Sequence, residues 1–183
     1  MPLNTLEPQL RSAGPEDAVT VAALAVQVFL DTYATEGVRP DLAREAFAEY
    51  SAEAFASRLQ EPTRRFFLAE KADGLIGFAE IQLSPQRAPA CDIVGAELVR
   101  LYVQPRAQRQ GIGQRLLRAA ERATVSAALG SVWLTAWEGN HRARRFYASQ
   151  GYEDVGATTY TFQGYHYGNR VFVRRLGPAP GAA

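Results

Sequence analysis

The sequence predicts an α/β domain of the α+β type, in which helices flank a mixed sheet. Three observations carry that reading. Segments with strand-like apolar alternation interleave with segments of helical periodicity. Glycine and proline pairs punctuate the boundaries between them. The length of 183 residues, 47% apolar and 21% charged, suits one domain with a real core.

The elements follow in order. Residues 1 to 8, with Pro2 and Pro8, read as a loose lead-in, and Gln9 to Ser12 as a short strand. Gly14-Pro15-Glu16-Asp17 starts a helix, because proline suits the first turn and the two acids suit the positive end of the dipole. Val21, Leu24, Ala25, Val28 and Phe29 then recur at helical spacing until Gly37 and Pro40 break the segment. Asp41 and Ser51 are candidate caps of two further helices, the second ending near Gln60 before Pro62. Arg65 to Lys71 and Leu75 to Leu83 read as a hairpin around Asp73-Gly74, and Ser84 to Ala90, with Pro85 and Pro89, as a loop. Ile93 to Val103 is a long strand, Gln110 to Leu129 an amphipathic helix, Val132 to Ala136 a strand, and His141 to Gln150 a short helix closed by Gly151. Tyr152 to Phe162 and Tyr165 to Arg175 form a terminal hairpin around Gln163-Gly164. The domain is expected over residues 1 to 176, with a disordered Gly-Pro-Ala tail over 177 to 183.

Bulk properties exclude several classes. A formal net charge of +1 gives no global pull toward nucleic acid or anionic membrane. No arginine cluster combines with stacking aromatics on one surface, so no nucleic-acid partner is expected. No apolar run is long enough to span a bilayer. The N-terminus lacks the basic-then-apolar layout of a secretory signal, and the lone Cys91 cannot form an internal disulfide, so a cytoplasmic location is expected. His141 and His166 have no metal-ligand partner at usable spacing, and no metal is expected.

The most informative stretch runs from Glu97 through Leu101-Tyr102-Val103, then Gln108-Arg109-Gln110-Gly111-Ile112-Gly113-Gln114, into the amphipathic helix. A strand leads through a glycine loop to a helix N-terminus, where unpaired backbone N–H groups favour an anion. Gly111 and Gly113 lack a Cβ, so a phosphate can approach the main chain, and Arg106 and Arg109 add charge nearby. The other reading is a plain strand-to-helix turn. A P-loop is excluded by the missing Gly-Lys-Ser/Thr ending, and the dinucleotide fingerprint by the missing third glycine.

The run Gln108-x-x-Gly111-x-Gly113 after Leu101-Tyr102-Val103 resembles the signature of the GNAT superfamily of acetyl-CoA-dependent N-acetyltransferases. The resemblance implies a mostly antiparallel sheet of about six or seven strands, with a bulged and splayed central strand pair. It implies that acetyl-CoA lies with its pyrophosphate on the amides of Arg109, Gln110, Gly111, Ile112, Gly113 and Gln114, with Gln108 also among the cofactor-binding residues. Its pantetheine arm would pair with the backbone of Leu101, Tyr102 and Val103, and the Leu101 N–H would meet the acetyl carbonyl. The pattern continues as Asn140-x-x-Ala143-x-x-Phe146-Tyr147-x-x-x-Gly151-Tyr152, with Asn140 and Tyr147 about two turns apart on one helical stripe. The resemblance assigns Asn140 to a hydrogen bond on the cofactor arm and Tyr147 to protonation of the departing thiolate. The other reading of Tyr147 is an aromatic core residue beside Phe146.

The amine must lose a proton to attack, and Glu97 is the candidate base because it shares a strand face with Val99 and Leu101. At about 13 Å from Leu101 along the strand, a water relay is more plausible than direct transfer. Glu80 is the reserve candidate. The acceptor is expected to be a primary amine. Leu101-Tyr102-Val103 with Trp137-Glu138-x-Asn140 is similar to the spermidine/spermine N-acetyltransferase branch, which implies acids near the acceptor. Asp31, Glu36, Glu80, Glu97, Glu138 and Asp154 are available, and Tyr33, Tyr160, Tyr165, His166 and Tyr167 could line that side. His166 reads equally as a surface residue on a strand edge. Arg142, Arg144 and Arg145 are either a solvated helix face or a contact for the adenosine 3′-phosphate. The alternatives in function are a protein N-terminal or lysine acetyltransferase and a non-catalytic acyl-CoA-binding module. A homodimer is compatible with these features.

Overall fold

The computed structural model describes residues 7–177 other than 73 and 163. The start of the expected lead-in, Asp73, Gln163 and the tail from 178 lie outside the described residues. Seven strands form one sheet in the order β1-β2-β3-β4-β5-β7-β6. They are β1 (Gln9–Ser12), β2 (Arg64–Lys71), β3 (Gly74–Arg87), β4 (Val94–Val103), β5 (Ser131–Trp137), β6 (Glu153–Phe162) and β7 (Tyr165–Arg175). The helices are α1 (Ala18–Tyr33), α2 (Pro40–Glu49), α3 (Ala52–Leu59), α4 (Ile112–Ser126) and α5 (His141–Ser149). β1/β2, β5/β7 and β6/β7 are antiparallel ladders, and β4/β5 is parallel. The β2–β3 and β3–β4 links, over 72–73 and 88–93, are too short for a crossover, so those pairs are antiparallel too. The sheet is therefore mixed and mostly antiparallel, as expected. No helix among the described residues is long and apolar enough to cross a membrane.

The chain forms two compact units. One runs to Glu80 and takes in Arg100–Leu117; the other is Ile81–Val99 with the chain from Arg118. In the first unit, Phe55 and Phe78 are fully buried with their rings edge-on at 6.0 Å, and Leu42, Leu68, Ile112 and Leu116 complete the core. Ser51 caps α3 as expected, accepting from the Ala54 N–H at 3.1 Å. α2 departs from expectation. Its cap is Arg39, Pro40 opens the helix at its first position, and Asp41 sits buried in the first turn, held by Arg39 at 2.8 Å. The proline that reads as a breaker is a starter here, because its missing N–H would be unbonded anyway.

The first unit also buries charge. Glu80 on β3 has no exposure, and its two carboxylate oxygens accept separately from Arg64 and from Arg100, the latter at 2.5 Å. Arg100 reaches on to Glu49 at 2.6 Å and lies over the Tyr50 ring at 5.2 Å, so α2 is tied to the sheet through one guanidinium.

In the second unit, Ala88, Trp133, Val171 and Val173 form a buried cluster against which Cys91, Ile93 and Val155 pack. That gives Cys91 a packing role. β3 continues to Arg87, through the first part of the loop expected over Ser84 to Ala90. A proline ends a strand only at a position where the ladder needs an N–H donor, which proline lacks. The Gln86 carbonyl accepts from the Trp133 indole at 3.2 Å. α4 is shorter at both ends than its apolar stripe suggests. Arg109 and Gly111 before it, and Ala128 after it, have left-handed backbone that no helix continues through.

The Glu80 cluster yields a prediction. Glu80→Ala should destabilise the protein by about 3–5 kcal/mol, because Arg64 and Arg100 lose their buried counter-charge. Urea unfolding of the variant against the parent measures it.

Candidate active site

In the first unit, the strand-to-helix turn is built from backbone conformation. Leu101, Tyr102 and Val103 end β4 half-buried. The Gln104 N–H then donates to the Ile76 carbonyl at 2.9 Å, and a short 3-10 turn follows over Pro105–Ala107. Arg109 (φ +63°) and Gly111 (φ +76°) take the left-handed conformation on either side of Gln110. Such alternation turns successive amides toward one side, and a non-glycine residue there stores strain on the order of 1 kcal/mol. The Gly111 carbonyl accepts the first α4 bond, from the Arg115 N–H at 3.0 Å. Ile112, Gly113 and Gln114 thus supply first-turn amides that have no partner within the helix. Gly111 is exposed, and a Cβ built on it would meet nothing within 4 Å.

Side chains around the turn brace it. The Gln108 amide donates to the Val103 carbonyl at 3.0 Å, and the Gln110 amide to the Arg106 carbonyl at 3.1 Å. Gln108 is therefore committed to holding the loop against the end of β4. Arg106 and Arg109 are exposed. The Tyr102 side chain belongs to the aromatic core, with its ring 5.4 Å from Phe78 and its hydroxyl 3.2 Å from that of Tyr50. Burial pushes its phenol pKa up.

In the second unit, β5 leads through Trp137-Glu138-Gly139 to α5. Asn140 stands one position before the helix as its cap, its side-chain oxygen accepting from the Ala143 N–H at 3.0 Å. That corrects the expectation of Asn140 and Tyr147 as two members of one helical stripe. The Asn140 oxygen serves the helix, and its amide NH2 keeps donor capacity. Tyr147 is 8% exposed, its ring packed on Phe146, Tyr152 and Phe172 at 5.4, 5.9 and 6.0 Å. The packing is that of a core aromatic, so any chemistry of Tyr147 is confined to its hydroxyl.

Glu97 lies half-buried on β4, in register with Trp133 of β5, while its neighbours Ala96 and Leu98 point to the buried side. The burial alternation keeps Glu97 and Val99 on one face, as the sequence suggested. Glu80 fails as reserve base, because both its oxygens are taken by guanidinium groups and it has no access to water. Among the other acids, Asp31, Glu36 and Glu138 are exposed, and Asp154 is gripped at 2.7 Å by Arg170, which lowers its carboxyl pKa. The arginine cluster divides: Arg142 and Arg145 are exposed, while Arg144 donates to the Glu138 carbonyl at 3.0 Å. His141, Arg144, Arg145, Ala148, Asp154 and Phe172 line a shallow depression of about 310 Å³. Tyr160, Tyr165 and His166 are exposed on the β6–β7 hairpin, where the His166 ring pairs with the Thr161 hydroxyl at 2.8 Å. No group of three or more metal-binding side chains is present among the described residues.

A seven-stranded, mostly antiparallel sheet with a glycine turn at the start of α4 is an acetyltransferase fold, and comparison with known proteins gives the same class. The model of the acetyltransferase (GNAT) family matches residues 33–152, and the chain belongs to that family. It is an N-acetyltransferase. Its relatives include an uncharacterized N-acetyltransferase of Mycobacterium tuberculosis (strain ATCC 25618 / H37Rv), 28% identical over 161 residues, which cover 87% of this chain and 98% of the relative. Another, from Lactobacillus delbrueckii subsp. lactis, is 26% identical over 137 residues, 74% of this chain and 79% of the relative. Among solved structures, the PaiA N-acetyltransferase of Thermoplasma acidophilum in complex with coenzyme A superposes with a TM-score of 0.75 at 21% identity, over 93% of this chain and all (100%) of that one. A GCN5-related N-acetyltransferase of Rhodopseudomonas palustris gives 0.71 at 24% identity, over 95% and 99% of the two chains. Both likenesses show the fold alone.

The dual character of Asn140 can be separated by substitution. Asn140→Ala should lower stability by about 1 kcal/mol through loss of the cap, whereas Asn140→Asp keeps the cap and should not. Urea midpoints of the two variants decide it.

Proposed function

We propose that this N-acetyltransferase moves the acetyl group of acetyl-CoA to a primary amine by direct attack in a ternary complex. The observation that carries the reading is the turn at Gly111, where amides without helical partners adjoin open space at a left-handed glycine. A diphosphate suits that chemistry, being a compact anion that backbone N–H groups and the helix dipole stabilise together. Arg109 through Gln114 would hold it, and the backbone of Leu101, Tyr102 and Val103 would pair with the pantetheine arm. Gln108 acts here as a brace for the loop, and the Asn140 amide as a donor to the same arm.

The chemistry then needs three groups. The amine nitrogen attacks the thioester carbonyl, and the oxygen that becomes negative accepts from the Leu101 N–H. Collapse breaks the C–S bond, and the Tyr147 hydroxyl protonates the departing sulfur. Glu97, through water, takes the proton that the amine sheds. Its partial exposure supports this better than the sealed carboxylate of Glu80 does.

A polyamine is the first acceptor to test. The Leu101-Tyr102-Val103 and Trp137-Glu138-x-Asn140 runs and the exposed acids Asp31, Glu36 and Glu138 support it. Thiol release from acetyl-CoA, with spermidine and with alanyl and lysyl peptides, sorts the acceptors. Turnover with peptides alone would move the assignment to a protein acceptor, and absence of turnover with every amine would overturn the reaction.

Two substitutions test the site itself. Gly111→Val should weaken acetyl-CoA binding by about tenfold or more in calorimetry, because a branched side chain fills the space the phosphate needs; unchanged affinity would remove the loop from the site. Tyr147→Phe should lower kcat by roughly a hundredfold or more while acetyl-CoA affinity stays within about threefold. Equal losses in both would make the hydroxyl structural.

A further inference from the structure

α5 ends in a closed hydrogen-bonded cap that includes Tyr147. The Tyr152 N–H donates to the Tyr147 carbonyl at 3.1 Å and the Gly151 N–H to the Ala148 carbonyl at 3.1 Å, with Gly151 at φ +83°. This is the paired termination in which the second residue past the C-cap (the cap here being Gln150) bonds back to the third residue from the helix end, with a side-chain contact between the two. The Tyr147 and Tyr152 rings supply that contact at 5.9 Å. Tyr147 is thus held at both its carbonyl and its ring by Tyr152.

Tyr152 is in turn held by its hydroxyl, which donates to Glu121 of α4 at 3.2 Å. Glu121 is 6% exposed and belongs to neither motif. The carboxylate oxygen that takes the Tyr152 hydroxyl also accepts from Arg174 of β7 at 2.9 Å, and that guanidinium nitrogen donates again to the Gln150 carbonyl at 2.9 Å. The other oxygen accepts from Arg118 at 2.6 Å. One buried carboxylate therefore holds Tyr152 directly and, through Arg174, the Gln150 carbonyl at the end of α5. The two arginines also lie at the negative end of the α5 dipole, where cations are favoured.

A phenylalanine at 152 would fill the same space without requiring a buried acid. Burying a carboxylate is costly unless its partners satisfy it, so packing alone does not call for this arrangement. What it adds is direction: a hydrogen bond from a rigid helix that sets where the Tyr152 ring lies, and through it the Tyr147 ring. We propose that Glu121 is a positioning residue for the Tyr147 hydroxyl, acting through Tyr152, Arg174 and the end of α5. The inference rests on the reading of Tyr147 as the proton donor.

A double-mutant cycle tests it, using thiol release from acetyl-CoA with spermidine and with an alanyl peptide as acceptors. Glu121→Gln and Tyr152→Phe should each lower kcat roughly tenfold with the acetyl-CoA KM within about twofold, and neither should lower it further in the Tyr147→Phe background. The Tyr152 variant removes only a hydroxyl and serves if the Glu121 variant folds poorly. NMR of ring-labelled tyrosine gives a readout that needs no acceptor: Tyr147 resonances should shift and broaden in both variants, while those of Tyr50 stay in place. Equal fold-losses with and without the Tyr147 hydroxyl, or unmoved Tyr147 resonances, would overturn the positioning role. A parental rate in Tyr147→Phe alone would overturn the proton-donor reading, and with it a positioning role in catalysis, whatever the spectra show.

Discussion

The turn between β4 and α4 depends on two residues with left-handed backbone, Arg109 and Gly111. Were both right-handed, the helix could begin at Gln110, as its apolar stripe suggests, and the first-turn amides would move back along the chain. Instead α4 begins at Ile112, immediately after a glycine with open space where a side chain would be. Gln104, Gln108 and Gln110 hold the segment by bonds to the carbonyls of Val103 and Arg106 and to the side chain of Gln27, the last at 3.1 Å. These are uncharged braces, and they leave the turn free of negative side chains. An anion site needs that as much as it needs amides.

Both units solve the problem of buried charge in one way. Glu80 and Glu121 are each nearly or wholly inaccessible, and each is satisfied by two arginines. Partnered so completely, they act as joints between helix and sheet. Breaking either joint takes a counter-charge from two arginines at once, which costs more than the joint contributes when intact. The arrangement also sorts the carboxylates. Glu80 and Glu97 stand on adjacent strands and look alike in sequence, yet one is sealed between guanidinium groups and the other keeps partial contact with solvent. A base must exchange protons with water or substrate, so only the second kind can serve.

Much of this fold could be read from residue pattern. Alternation and turn residues found the seven strands, and helical spacing and capping residues found the helices, because these signals are local. What escaped was set by single backbone choices. Pro40 opens a helix and Pro85 lies within a strand, since proline forbids only those positions where an N–H must be donated. Asn140 reads as a stripe residue, yet its short side chain caps the helix it precedes. Glu121 carried one faint signal, as the only acid in a helix with four arginines nearby in sequence, Arg109, Arg115, Arg118 and Arg122. Its partners Tyr152 and Arg174 are far along the chain, so no local rule could join them. The glycine loop was legible because the requirement there is on the backbone itself, and glycine is the residue that meets it.

The sequence offered Tyr147 two readings, core aromatic or proton donor, as if they excluded each other. Its packing shows why they need not. A phenol that protonates a thiolate must be kept neutral until the bond breaks and aimed within a narrow cone, and both conditions favour a ring fixed among other rings over one free in solvent. Phe146, Tyr152 and Phe172 fix the ring, and the α5 cap fixes the backbone that carries it. An exposed tyrosine would lose orientation and hold water against its hydroxyl. Near-complete burial of the ring is what the proposed role requires.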